Sequence, residues 1–158
     1  NSDETADQTL KKEVKDQVVT YLRSKMNQAA SIQAARQVIC QEMDALKEIA
    51  EKKIRQEGYD YPVTVSLGTT YFPVKEYGDM AFPAGDYEAL RVQIGESKGR
   101  NWWCVMYPSL CLVDGVYQTV PESSKDKLKQ VLSTSEYQSL VDGGEDVQFR
   151  LRFLDWLF

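Results

Sequence analysis

The segment GRNWWCVMYPSLC, residues 99–111, holds the side chains of this chain that are best suited to chemistry or to binding. Cys104 and Cys111 offer two thiols, which can act as nucleophiles, bind a metal or form a disulfide. Trp102 and Trp103 offer large aromatic surfaces, which serve either a core or a protein interface. The rest of the sequence is needed to choose among these uses.

Histidine is absent from the 158 residues, which excludes several mechanisms. Serine triads, cysteine–histidine dyads and the HExxH zinc site all need it. Three cysteines cannot supply the four thiolates of a closed zinc site. The GESKG stretch lacks the spacing of a phosphate-binding loop, and the net charge of −5 disfavours nucleic acid. We therefore predict no catalytic residue, no metal, no cofactor and no nucleic-acid partner.

Carboxylates around the same segment leave one catalytic alternative open. A saccharide hydrolase needs two carboxyls about 5–9 Å apart, one of them with a raised pKa. The acids that could form such a pair are Asp79, Asp86, Glu88, Glu96 and Asp114. A scatter of surface acids is the ordinary explanation of the same residues. A thiol oxidoreductase is disfavoured, because six residues separate Cys104 from Cys111 and the pair is not CxxC.

Two helices are predicted in the first third of the chain. An apolar residue every four positions predicts a helix from about Ala6 to the mid-twenties, with Thr5 and Gln8 spaced as a capping box. A second amphipathic helix is predicted from near Ser31 to a C-cap glycine, Gly58. Cys40 lies beside its apolar stripe, and we expect a small buried thiol there.

After Gly58 the apolar period changes to two, which predicts strands. The alternating runs lie at 63–67, 90–94 and 147–153, and short helices are predicted at 121–132 and 135–140. Strands with one apolar face indicate an antiparallel sheet that the helices cover. The predicted fold class is α+β: an N-terminal helical hairpin packed on a mainly antiparallel sheet, with short C-terminal helices and a final strand, in a single domain over residues 1–158.

The string YGDMAFPAGDYEALRVQIGESKGRNWWCVMYPSLC, residues 77–111, resembles the signature region of the stage II sporulation protein R family. Asn1-Ser2-Asp3, the two helices and the GYDYPVTVSLG strand are similar to the same family, so the resemblance covers nearly the whole chain. Family members usually carry an export or anchoring segment and an apolar strand before the NSD motif. We therefore expect this chain to be the exported domain without that leader.

The resemblance implies a signalling ligand and not an enzyme. Family members are made in the forespore of endospore-forming bacteria and are exported into the intermembrane space between forespore and mother cell. There they activate a membrane-embedded aspartic protease, stage II sporulation protein GA, which processes pro-sigma-E. The implied partner is this protease, and membrane proximity arises only through it or through a missing N-terminal segment. Because peptidoglycan occupies the same space, a cell-wall hydrolase or wall-binding module is the alternative.

Export would also allow Cys104 and Cys111 to form a disulfide, because disulfides persist outside the reducing cytosol. The turn at Tyr107-Pro108-Ser109 could bring Cys104 to Cys111, although two reduced, buried thiols are the alternative.

The two tryptophans are expected on opposite faces of a strand, one in the core and the other either in the core or as an interface anchor. The surface around the exposed tryptophan is expected to be framed by Tyr77, Gly78, Asp79, Gly85 and Tyr87. The partner-binding candidates are Arg100, Asn101, Trp102, Trp103, Tyr107, Pro108, Tyr77, Asp79 and Tyr87.

Overall fold

The computed structural model describes residues 2–26, 29, 31–77, 79–102, 120 and 122–142. The elements follow the order α1 (Thr5–Met26), α2 (Ile32–Gln56), β1 (Val63–Phe72), β2 (Lys75–Tyr77), β3 (Met80–Phe82), β4 (Gly85–Ile94), α3 (Glu122–Val131) and α4 (Thr134–Val141). This order of elements confirms the predicted α+β class. The predicted final strand, 147–153, lies outside the described residues.

The two long helices pack against each other through the apolar stripes that the sequence predicted. Their buried residues are Leu10, Val14, Val18 and Leu22 of α1 and Ala35, Ile39, Leu46, Ala50 and Ile54 of α2. Val63 of β1 and Ile94 of β4 complete the same apolar cluster, so the helical hairpin covers the strand ends. Each fully buried leucine or isoleucine contributes about 1.5–3 kcal/mol relative to an exposed one.

Helix α2 starts near Ser31 and ends at the C-cap glycine Gly58, as predicted. Ser31 is the N-cap, and its side chain accepts a hydrogen bond from the Ala34 N–H. At the other end, Gly58 has a φ of +82°, its N–H donates to the Arg55 carbonyl, and the Tyr59 N–H donates to the Ile54 carbonyl. These two bonds form a Schellman motif, in which a residue with positive φ ends the helix.

The predicted capping box at the start of α1 is wrong. Thr5 is the first helical residue, and the Gln8 side chain donates to the Ser2 carbonyl at 2.8 Å. A capping box would need Gln8 to accept from the N-cap N–H. The Ser2 hydroxyl instead accepts from the N–H of Glu4, the residue before the helix, at 3.1 Å.

Cys40 also corrects the sequence analysis, since its thiol is free and exposed. Ile39 is buried in the core cluster, and the next residue of an α-helix lies about 100° around the axis, which carries Cys40 away from the apolar stripe.

Strands β1 and β4 pair in a two-stranded sheet. The Gly95 N–H, just after β4, donates to the carbonyl of Pro62, just before β1, at 2.8 Å. At the other end, the rings of Phe72 and Tyr87 meet with centroids 5.6 Å apart. The two strands are therefore antiparallel, as predicted.

A second two-stranded sheet, formed by β2 and β3, was not predicted. Its strands are antiparallel and pair Lys75 with Phe82, Glu76 with Ala81 and Tyr77 with Met80. Three residues per strand are too few to show a period of two, which explains why the alternation pattern missed them.

The chain divides into two compact units. Unit 1 comprises Asn1–Thr69 and Glu88–Tyr107, and unit 2 comprises Thr70–Tyr87 and Pro108–Phe158. Within unit 2, α4 packs on β3 and α3 contacts α4. The two short helices lie where the sequence predicted them, and Ser133 with Glu136 forms a capping box at the start of α4. The single domain stays a prediction.

Candidate functional site

The backbone after β4 reverses direction through residues in the left-handed region. The φ angles are +53° at Gly95, +55° at Ser97 and +78° at Gly99. The Ser97 N–H donates to the Ile94 carbonyl at 3.1 Å, which closes the first turn. The following residues therefore leave the sheet and lie against the start of α1.

Side chains from the start of the chain hold this segment through its main chain. Asp3 Oδ1 accepts a hydrogen bond from the Arg100 N–H at 2.6 Å. Lys11 Nζ donates to the Lys98 carbonyl at 2.7 Å and to the Arg100 carbonyl at 3.0 Å. We call Ser2, Asp3, Gln8 and Lys11, together with residues 98–100, the N-terminal clamp.

Gly99 fits the clamp because it has no side chain. A Cβ at this position would lie 2.6 Å from both the carbonyl carbon and the carbonyl oxygen of Ser2. Its φ of +78° is in addition a conformation that glycine adopts without steric cost. The close approach of the two chain segments therefore requires a glycine here.

The clamp favours an ionised Asp3. The Arg100 backbone N–H lowers the pKa of the Asp3 carboxyl below its ordinary value of 3.8, and the Arg100 guanidinium also lowers it. The guanidinium Nε lies 3.5 Å from Asp3 Oδ1. At neutral pH the carboxylate therefore accepts charge-assisted hydrogen bonds, which are stronger than neutral ones.

Trp102 lies two residues after the clamp and next to α1. Lys15 Nζ is 5.0 Å from its ring centroid, within the range of a cation–π contact. The side chain is nevertheless 49% exposed, and Arg100 and Asn101 beside it are exposed as well. The structure thus brings three of the partner-binding candidates together at one surface.

The prediction that Trp102 lies in a strand is wrong, because residues 101 and 102 have no regular secondary structure. Just before these residues, the carbonyls of Lys98 and Arg100, which a strand would use in a ladder, instead accept hydrogen bonds from Lys11 of α1. Trp103 lies outside the described residues.

Asp79, another predicted partner-binding residue, has structural partners within unit 2. Its carboxylate accepts from the Val120 N–H and from Lys125 Nζ, both at 2.7 Å. The hydrogen bond from Lys125, followed by the one from Val120, lowers the pKa of Asp79 below its ordinary value. These contacts connect the β2–β3 turn to Val120, which precedes α3, and to Lys125 within α3.

The remaining aromatic candidates of unit 2 lie on strands. The Tyr87 hydroxyl donates to the Pro83 carbonyl at 2.8 Å, and burial raises the pKa of this hydroxyl. Tyr77 pairs with Met80 across the β2–β3 sheet. Because both belong to unit 2 and Trp102 belongs to unit 1, the expectation that they frame one surface stays a prediction.

The acids of the hydrolase alternative have cationic partners in three cases. Besides Asp79 with Lys125, Glu88 pairs with Arg36 at 2.9 Å and Glu96 pairs with Lys98 at 2.5 Å. The hydrogen bond from Lys98 lowers the pKa of Glu96, whereas a general acid needs a raised one. Asp114 lies outside the described residues.

Several candidates of the signature segment lie outside the described residues. Residues 103–119 lie outside the described part of the chain, and they include Tyr107, Pro108 and the cysteine pair. The disulfide between Cys104 and Cys111 therefore stays a prediction.

Sequence reasoning missed the clamp itself. Asp3 was noted only as part of the NSD motif and Gln8 only as part of the predicted capping box, and no contact was predicted for Lys11 or Lys15. The last three are spaced at i, i+3 and i+7, which places them along one helix face beside the apolar stripe. This row of polar side chains was the only hint of a contact in the sequence. The backbone that Lys11 contacts lies more than 80 residues away, so the sequence does not show what the row binds.

The part of the chain that the structure describes contains no group of three or more acidic or cysteine side chains arranged to hold a metal ion. Among the same residues, no helix has both the length and the apolar composition needed to cross a membrane.

Comparisons with known proteins agree with the resemblance seen in the signature. The family model described as Stage II sporulation protein R (spore_II_R) matches residues 1–117. A curated relative, Stage II sporulation protein R of Bacillus subtilis (strain 168), is 36% identical over 172 aligned positions, which cover 99% of this chain and 76% of the relative. No solved structure matches. The chain therefore belongs to the stage II sporulation protein R family, and its role lies in sporulation.

Proposed function

We propose that this chain is an exported signalling ligand and not an enzyme. It acts in the intermembrane space between forespore and mother cell, where it binds the membrane-embedded aspartic protease stage II sporulation protein GA. Binding activates the protease, which then processes pro-sigma-E. Membership of the family, established over residues 1–117, is the basis of this proposal.

The structural observation that carries the proposed binding role is the exposed Trp102, which lies beside Lys15 of α1. Tryptophan and arginine are enriched at the energetic centres of protein interfaces, and Arg100 lies two residues before Trp102. An indole that is 49% exposed still has apolar surface to bury against a partner. We assign Trp102 the role of the anchor.

The carboxylates support the non-enzymatic part of the proposal. Within the described part of the chain, hydrogen bonds from Lys125 and Lys98 lower the pKa values of Asp79 and Glu96, respectively. A hydrolase would need the opposite shift in one member of a close pair.

Activation takes the form of a population shift. The ligand binds the active arrangement of the protease more tightly than the inactive one, because a ligand of equal affinity for both states shifts neither. Equal affinity of the chain for an active and an inactive form of the protease would contradict this mechanism.

The test is reconstitution in a host that does not sporulate. The chain is exported together with the protease, and cleavage of pro-sigma-E is measured for the wild type, Trp102→Ala and the control Tyr71→Ala. Tyr71 is a matched control, since it is an exposed aromatic residue, at 62%, that belongs to unit 2.

We expect cleavage with the wild type and the control and a loss of roughly tenfold or more with Trp102→Ala, which is the size of a hot-spot truncation. No cleavage with folded, exported wild type would refute direct activation. Equal cleavage with all three proteins would refute Trp102 as the anchor.

A further inference from the structure

We propose that the N-terminal clamp is a positioning device for Trp102, in which Asp3 and Lys11 fix the segment that presents the indole. This inference rests on the proposed function, in which Trp102 anchors the partner. Asp3 and Lys11 themselves are positioning residues and need no contact with the protease.

The first step of the argument is that Trp102 lacks a ladder of backbone hydrogen bonds to hold it. Residues 98–102 are in neither helix nor strand, and Arg100, Asn101 and Trp102 are all exposed. A segment of this kind normally samples many conformations, and ordering it on binding would weaken the affinity.

The second step is that the hydrogen bonds of the clamp act on the backbone of Lys98 and Arg100, which end two residues before Trp102. Asp3 accepts from the Arg100 N–H, and Lys11 donates to the Lys98 and Arg100 carbonyls. Both side chains carry a full charge, so these are charge-assisted bonds. Both polar backbone groups of Arg100 are therefore held by α1 or by the residues that precede it.

The third step is that one row of α1 side chains contacts both the backbone and the indole. Gln8, Lys11 and Lys15 follow one another at i, i+3 and i+7 and share a helix face. Lys11 holds the backbone at Arg100, while Lys15 lies against the ring of Trp102. Because a single rigid helix supplies both contacts, it fixes the position of the indole relative to the segment that carries it.

The test compares charge-matched variants by two measurements, one of which needs no protease. Asp3→Ala removes the acceptor of the Arg100 N–H, and Glu4→Ala removes the same charge from the neighbouring exposed residue. Lys11→Met removes the ammonium but keeps an unbranched apolar side chain, and Lys12→Met is its exposed control on the same helix. Asp3→Asn is the conservative variant, since its amide oxygen can still accept the hydrogen bond.

The first measurement is hydrogen exchange of the Arg100 amide in the isolated chain. We expect the Arg100 amide to exchange roughly tenfold faster than in the wild type, or more, in Asp3→Ala and Lys11→Met. We expect the wild-type exchange rate in the controls Glu4→Ala and Lys12→Met, and a rate close to it in Asp3→Asn. Far-UV circular dichroism checks that each variant is folded. Unchanged exchange in both Asp3→Ala and Lys11→Met would overturn the clamp.

The second measurement is pro-sigma-E cleavage by the reconstituted protease at limiting ligand. We expect roughly tenfold less activation by Asp3→Ala and near-wild-type activation by Glu4→Ala and Asp3→Asn. Faster exchange with unchanged activation would overturn the positioning role. If the wild type does not activate the protease, the proposed function has failed. The positioning role is then tested by comparing the oxidation rate of Trp102 in the isolated variants with the rate in the wild type. An oxidation rate equal to wild type in Asp3→Ala would overturn the inference in that case.

Discussion

Alanine substitution of two glycines with nearly the same backbone conformation separates backbone strain from close contact. Gly58 has a φ of +82° and Gly99 a φ of +78°. A Cβ on Gly58 would meet nothing within 4 Å, whereas a Cβ on Gly99 would lie 2.6 Å from the Ser2 backbone. The pair therefore differs mainly in the clamp contact.

The expected magnitudes follow from these geometries. A left-handed conformation costs a non-glycine residue about 1–2 kcal/mol, and this is the whole cost expected for Gly58→Ala. Gly99→Ala carries the same cost and, in addition, about 1–3 kcal/mol for displacing packed backbone. We therefore expect Gly99→Ala to be more destabilising by about 1–3 kcal/mol.

The assay is urea unfolding at pH 7, in which a lower midpoint at constant slope reports lost stability. Hydrogen exchange locates the loss, and we expect faster exchange of the Arg100 amide in Gly99→Ala but not in Gly58→Ala. Equal midpoints for the two variants, with Arg100 still protected in Gly99→Ala, would refute the reasoning.

Four further predictions concern other parts of the chain. Because Asp79 has a lowered pKa in the folded state, the stability it contributes is complete above the unfolded value near 3.8 and is lost as the pH falls through the lower folded value. The difference in unfolding free energy between wild type and Asp79→Asn should therefore be largest near neutral pH and shrink in acid, and a pH-independent difference would contradict this. Ser133→Ala removes the cap of α4 and should cost about 1 kcal/mol in urea unfolding, with no loss if the capping box is unimportant. Leu46→Ala, at a residue with no exposed surface, should cost about 2–5 kcal/mol, and a loss under 1 kcal/mol would show that the core refills the cavity. Exported protein should contain a bridge between Cys104 and Cys111, and mass spectrometry after thiol alkylation would disprove it by finding both labelled without reduction.

Local patterns in the sequence were sufficient for the two long helices and for the C-terminal end of α2. A repeat of apolar residues every three or four positions fixes which face of a helix can be buried, whatever that face packs against. The apolar stripe of α1 was therefore assigned correctly to the core, and its buried residues are Leu10, Val14, Val18 and Leu22. The same holds for Gly58 at the end of α2, because a cap depends on backbone groups within a few residues. The β2–β3 sheet was missed because three-residue strands carry too little periodicity.

The signature string likewise identified the family from sequence alone, since a long ordered set of rare residues is specific without knowledge of their contacts. The same string gave Trp102 as a candidate anchor. It could not show that Trp102 lies outside any strand, because the competing hydrogen bonds come from side chains of α1.

The clamp was decided by the tertiary structure. Asp3 and Arg100 are separated by 97 positions, and a hydrogen bond over such a distance leaves no periodic pattern in either segment. Lys11 and Lys15 look like ordinary solvent-facing lysines until the positive-φ turn at Gly99 brings the backbone and the indole to them. Sequence thus determined the two long helices, their buried faces and the family, while only the folded chain could bring the start of α1 to the segment that carries Trp102.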